Sequence, residues 1–198
     1  MEITEYRGVE GLVYAEITED SETAYETGDV KPLAGVAEIS KTTESSDEPH
    51  YYDNMPATVV SSTGSDEITC TVSAIPLEVL ADITGQTFDV NTGALIEGPR
   101  TSKYFALGYK TKKTNGDEVY VWRLKGTFGI PASTHATEDD GTDANGQEIT
   151  FVGIQTTHKF TKTNAGAKSV VVDVGLGKAD VSTFFTTVTT PDTLKAKS

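Results

Sequence analysis

The chain has 198 residues and a mass of 21.1 kDa, the size of one domain. Its single cysteine, Cys70, excludes an intrachain disulfide framework. Thirty acidic against 16 basic residues, a net charge of −14, exclude a phosphate-gripping DNA clamp or an anionic-lipid binder, both of which need clustered Lys and Arg.

About one residue in six is threonine, and Val and Ile recur in short runs bounded by turn residues, a composition that predicts β structure. The opening Met1-Glu2-Ile3-Thr4-Glu5 lacks a basic then apolar leader, so no signal peptide is expected and the chain is expected to be soluble and cytoplasmic when made. Val170-Val171-Val172 ends at Asp173, and no run suits a membrane span.

In chain order, strands are expected at 12–18, 33–41 and 57–62. Another is expected at 67–73, separated from its neighbour by Ser62-Thr63-Gly64-Ser65. A short helix is expected over 76–84: proline suits its first turn, Leu77, Leu80, Ala81 and Thr84 form a stripe, and Gly85 ends it. Strands 104–112 and 119–125 flank Asn115-Gly116, which predicts a hairpin with a type I′ turn. Tyr120, Trp122 and Leu124 share one face of the second strand, and Arg123 and Lys125 the other, as in a half-buried sheet. A second hairpin is expected from 148–160 and 169–174 across Thr163-Asn164-Ala165-Gly166, and a second short helix over 179–185 with Val181, Phe184 and Phe185 inward.

Three stretches fall outside this pattern: an acidic link at 19–29, a polar excursion at 42–55 carrying His50, Tyr51 and Tyr52, and a polar segment at 131–147. Charge is uneven. Residues 1–53 hold 14 acidic and 3 basic side chains, residues 100–125 hold 2 and 7, and residues from 157 onward 3 and 6. An acidic head and basic later segments suit either attraction between copies or simple solvation of the surface.

No catalytic pattern emerges. His50, His135 and His158 are isolated, with no zinc spacing, and Cys70 has no neighbouring base. No nucleophile elbow, Walker loop or dinucleotide fingerprint occurs, and Gly175-Leu176-Gly177 lacks a third glycine. Aligning Gly146 to the glycine of a calcium loop puts Gly141 and Val152 at ligand positions, so the EF-hand match fails and only a weaker calcium site in 138–146 stays open. The expectation is a non-enzyme without cofactor or metal. Its most interface-like residues are His50, Tyr51, Tyr52 and Asp53, since tyrosine brings large amphipathic contact area.

The stretch Ser73-Ala74-Ile75-Pro76-Leu77-Glu78-Val79-Leu80-Ala81-Asp82-Ile83-Thr84-Gly85-Gln86-Thr87-Phe88-Asp89 resembles the strand, short helix and glycine turn of long-tailed phage major tail proteins. Tyr104-Phe105-Ala106-Leu107-Gly108-Tyr109-Lys110 and Val119-Tyr120-Val121-Trp122-Arg123-Leu124-Lys125-Gly126-Thr127-Phe128 resemble the central hairpin of the phi13-type family from Gram-positive phages and prophages. The resemblance runs over 6–174 and implies a β-sandwich subunit with a flanking helix. Copies would form rings, typically hexamers, stacked into the tail tube through which DNA leaves without specific binding. It implies residues 42–55 as an inter-ring loop, 176–198 as a C-terminal arm, and tape-measure, tail-terminator and baseplate or distal tail proteins as partners. The implied location is the virion tail, after assembly in the host cytoplasm. An Ig-like or adhesin-type β-sandwich binding module is the alternative, and a contractile or bacteriocin-type tube is a near relative of the first reading.

Overall fold

A computed structural model describes residues 3–135, 137 and 146–197. Its strands are β1 (Tyr6–Asp20), β2 (Tyr25–Thr27), β3 (Lys31–Pro32), β4 (Val36–Tyr52), β5 (Met55–Val72), β6 (Thr87–Asp89) and β7 (Ala94–Ile96). They continue with β8 (Phe105–Lys113), β9 (Glu118–Phe128), β10 (Ala132–Ser133), β11 (Gln147–Gly153), β12 (Ser169–Asp173), β13 (Ala179–Asp180) and β14 (Lys195–Ala196). Among the described residues there is one α-helix, α1 (Leu77–Thr84), between β5 and β6, and a single 3-10 turn at Val174–Leu176.

The architecture is mainly β and sandwich-like, as expected. Ten strands form one antiparallel sheet in the order β2-β1-β8-β9-β11-β5-β4, with β3 on β1, β10 on β11 and β12 on β9. The sheet curls until β1 and β4 come close without pairing, and Leu33, in the link between β3 and β4, donates its N–H to Leu12 O at 3.0 Å. Two glycines with positive φ, Gly8 and Gly11, sit at the register irregularities of β1, where a left-handed residue forms a bulge and bends the strand.

Period-2 alternation sorts the side chains onto two cores. Phe105, Leu107, Tyr109, Val119 and Val121 face inward with Ile68, Cys70, Ile149 and Phe151, while Ala106, Trp122 and Leu124 face Phe160, Phe184 and Val188. The expectation of a half-buried sheet therefore fails at β9, which is covered on both sides. A bulge after Leu124, between the pairs Leu107–Arg123 and Phe105–Gly126, reverses the alternation and brings Phe128 to the first core.

The β8–β9 hairpin forms where expected, but its turn differs. Only Gly116 has positive φ, with Gly116 N–H donating to Lys113 O at 2.9 Å, so Asn115 is not left-handed and the turn is not type I′. The type I′ signature falls instead at Asp53-Asn54, where φ is 49° and 63°. Helix α1 ends in a Schellman motif: Gly85 is left-handed, Gln86 N–H donates to Ala81 O and Gly85 N–H to Asp82 O. Its inward side is Ala81, Ile83 and Thr84, with Leu77 left 48% exposed, so the expected stripe is rotated towards Ile83.

Two other expectations are corrected. β11 and β12 do not pair; each adds to β9, at 126–128 and 119–123, and the link between them is held by a few bonds, Phe160 with Ala165 and Thr156 N–H to Ala167 O. Residues 179–185 are a short strand followed by tight turns, Phe184 N–H donating to Val181 O, although Phe184 is buried as expected. Within the C-terminal segment, Phe184 and Val188 pack on the second core and Trp122 Nε1 donates to Phe184 O at 2.7 Å. Among the described residues no helix is long and apolar enough to cross a membrane.

Candidate functional site

The excursion expected at 42–55 is not a loop. It is the outer part of β4 and β5, which run as one ribbon from the register pair Val36–Val72 to Tyr52–Met55. Ser62-Thr63-Gly64-Ser65, expected to break a strand, lies inside β5 and is absorbed by a register shift opposite Glu44. Thr and Val supply extended backbone on both strands, and Asp53-Asn54 supplies the turn.

Beyond Asp66 the ribbon loses its support, because β11 pairs with β5 only over 66–72. From Thr43 to Tyr52 it extends about 30 Å at roughly 3.3 Å per residue. None of its side chains over 44–64 is buried, and Tyr51, Tyr52 and Met55 are 64%, 65% and 67% exposed. It carries Glu44, Asp47, Glu48 and Asp53, and there is no Lys or Arg between 42 and 99. This is an acidic arm with an aromatic tip.

Of the residues singled out from sequence, the turn brings His50, Tyr51, Tyr52 and Asp53 to the tip but does not gather them into one patch. Alternation puts His50 and Tyr52 with Met55 and Val60 on one face of the ribbon, and Tyr51 with Pro49, Pro56 and Val59 on the other. Each face thus presents one tyrosine. Met55, Val59 and Val60 belong to this surface and were missed; the Asp-Asn turn flanked by β-forming residues was the available signal. Pro49 and Pro56 remove backbone donors from the two outer edges, which blunts indiscriminate strand addition.

The root is pinned electrostatically. Asp66, its side chain 5% exposed, accepts from Thr43 Oγ1 at 2.9 Å and lies 3.3 Å from Arg123 Nη1, 3.4 Å from Lys168 Nζ and 4.0 Å from Lys41 Nζ. Burial pushes its carboxyl up, but the Thr43 hydroxyl and the Lys41 and Lys168 charges outweigh that and hold it below the ordinary value. Lys168 also donates to Gly64 O.

The basic middle of the sequence is largely satisfied within one chain. Glu10 pairs with Lys110 and Lys112, Glu16 with Lys103, Asp20 with Lys125 and Asp66 with Arg123. Glu10, Glu16 and Asp20 of β1 are thus paired within the chain, so attraction between copies cannot rest on these three. The exposed charge that is left is dominated by carboxylates, including those of the arm.

Other candidates are structural. Cys70 is buried in the first core, which pushes its thiol up to about 12. His158 packs edge-on against Phe160 at 4.9 Å, its backbone N–H donating to Asp20. His135 is exposed. Among the described residues no group of three or more His, Cys, Asp or Glu is placed to hold a metal; the calcium reading rests on 138–145, outside the described residues. No protein-family model matches the chain, and no curated protein matches it significantly.

Proposed function

We propose that the chain is a self-assembling structural subunit, the major tail protein of a non-contractile tailed phage, whose rings stack into a DNA-conducting tube. The single observation that carries this reading is the arm. A two-stranded ribbon standing alone in water is marginal in stability, and this one exposes tyrosines, Met55 and valines on both faces. Such a surface is economical only if a neighbour covers it. The resemblance of 73–89, 104–110 and 119–128 to phage tail proteins supports the neighbour's being another copy. Net negative charge supports a lumen that repels phosphate and lets DNA slide.

The test is electron microscopy of purified protein across a concentration series, with a variant in which Asn-Gly replaces residues 45–63. Rings or tubes with a central channel from the intact chain are expected. The armless variant should stay folded, because the removed residues bury nothing, yet form no stacks. Normal tubes from it would overturn the arm's role. Monomers from the intact chain at every concentration, with and without seeding by tail tubes, would overturn the reading and favour the binding-module alternative.

A further inference from the structure

The curl of the sheet leaves a seam. β1 and β4 approach without pairing: Leu33, between β3 and β4, donates to Leu12 O, and the bulges at Gly8 and Gly11 lie on the β1 side of the gap. Between them lies an open groove of about 570 Å³, within the roughly 300–1,000 Å³ of ligand-sized sites. Its walls are largely apolar: Tyr6 and Val9 on one side, Ile39 on the other, Tyr109 and Val121 at the floor. Its charged members are Lys41 and Arg123 against Glu38. Arg123 is only 8% exposed, gives one Nη1 to Asp66, and leaves Nε without an acceptor among the described residues. The groove thus combines apolar surface with a cation that has unused donor capacity.

We propose that this groove receives the arm tip of a second copy. The inference rests on the self-assembly reading and names the surface through which it acts. The tip has the complementary chemistry: tyrosines able to bury about 150–250 Å² each, Met55, and the Asp53 carboxylate on a segment without a cation. A chain cannot fill its own groove. Ile39 and Lys41 lie at the arm's root, and the tip projects about 30 Å or more beyond them. Tip and root are different surfaces, so a contact that is not reciprocated between two chains is heterologous and repeats head to tail, which builds a stack when the rotation does not close. The arm also sets the step. Fourteen residues separate Ile39 from Asp53, so the axial repeat cannot exceed about 45 Å at roughly 3.3 Å per residue.

Cysteine cross-linking tests this on the full chain. His50→Cys and Pro49→Cys mark the two faces of the tip, Glu38→Cys marks the groove rim, and Val90→Cys, on an exposed site elsewhere, is the control. Native Cys70 is buried and does not interfere. Mixtures of a tip variant and the rim variant are assembled, imaged and mildly oxidised. A disulfide heterodimer at least tenfold above the Val90→Cys control, from at least one tip variant, is expected, with an axial repeat below about 45 Å. Assemblies on the grid without that heterodimer, or with a longer repeat, would overturn the groove assignment and leave the self-assembly reading standing. Failure to assemble under any condition would overturn both.

Discussion

Removing the Asp20 carboxylate tests how the two halves of the fold are held together. Asp20 ends β1, its side chain is 6% exposed, and it accepts from Lys125 Nζ at 2.5 Å and from the backbone N–H groups of Thr157 and His158 at 2.9 Å each. Asp20→Ala strands a lysine that is itself only 11% exposed. Breaking a buried pair from one side costs about 3–5 kcal/mol, and water reaching Thr157 recovers part of the lost backbone bonding, so about 3 kcal/mol is expected. At an m-value near 2 kcal/mol/M that lowers the urea midpoint by about 1.5 M, and the thermal midpoint by roughly 6–12 °C. Trp122, fully buried at the second core, reports the transition by fluorescence. Asp20→Asn keeps an acceptor oxygen and should cost about half as much. A loss below about 1 kcal/mol for Asp20→Ala would refute the view that this carboxylate ties β1 to residues 157–158.

Other expectations follow from the same packing. Gly126→Ala places a Cβ 2.4 Å from Phe151 Cζ and from Val152 O, so it should cost more than about 3 kcal/mol or prevent soluble expression. Gly116→Ala, with open space but φ of +92°, should cost only about 1–2 kcal/mol in urea titrations. Cys70 should resist a thiol reagent at pH 8 and react only as fast as the chain unfolds; rapid labelling of folded protein would contradict its burial. In Asp20, Asp66 and Asp82 burial raises the carboxyl, and hydrogen bonds with Lys125, Thr43 and Lys31 foremost lower it further, so all three lie below their ordinary values. Their stabilisation is therefore complete above the unfolded pKa of about 3.9 and is lost as pH falls below it. The thermal midpoint should be flat from pH 7 to about 5 and fall below about 4; a fall beginning above pH 6 would implicate histidine instead.

The sequence made the sheet's centre readable and its periphery less so. Strongly alternating runs at 105–113 and 118–128 could only be strands, and Gly85 marked the end of α1 correctly. Partner choice is non-local, and for that reason β11 and β12 were matched to each other when both seek β9. Arm and loop look alike in composition, since a ribbon buried on neither face has no apolar alternation to reveal it. The tip residues are exposed, and their division between two faces depends on a register that the sequence does not display. The groove had no local signature at all: Tyr6, Ile39 and Val121 come together only because β1 bends.

The long reach of β1 shapes how the chain must fold on the ribosome. Glu16 pairs with Phe105 and Tyr6 with Lys113, so β1 waits for about 90 further residues before its partner exists. At about 5–20 residues per second that is roughly 5–20 seconds. During the wait β4 and β5, neighbours in sequence, can zip together alone, while β1 shows an unpaired edge to every other nascent chain. High contact order of this kind slows folding. An acidic first quarter, 14 carboxylates against 3 cations in residues 1–53, keeps waiting chains apart by repulsion until β8 and β9 bring the lysines that pair with Glu10 and Asp20.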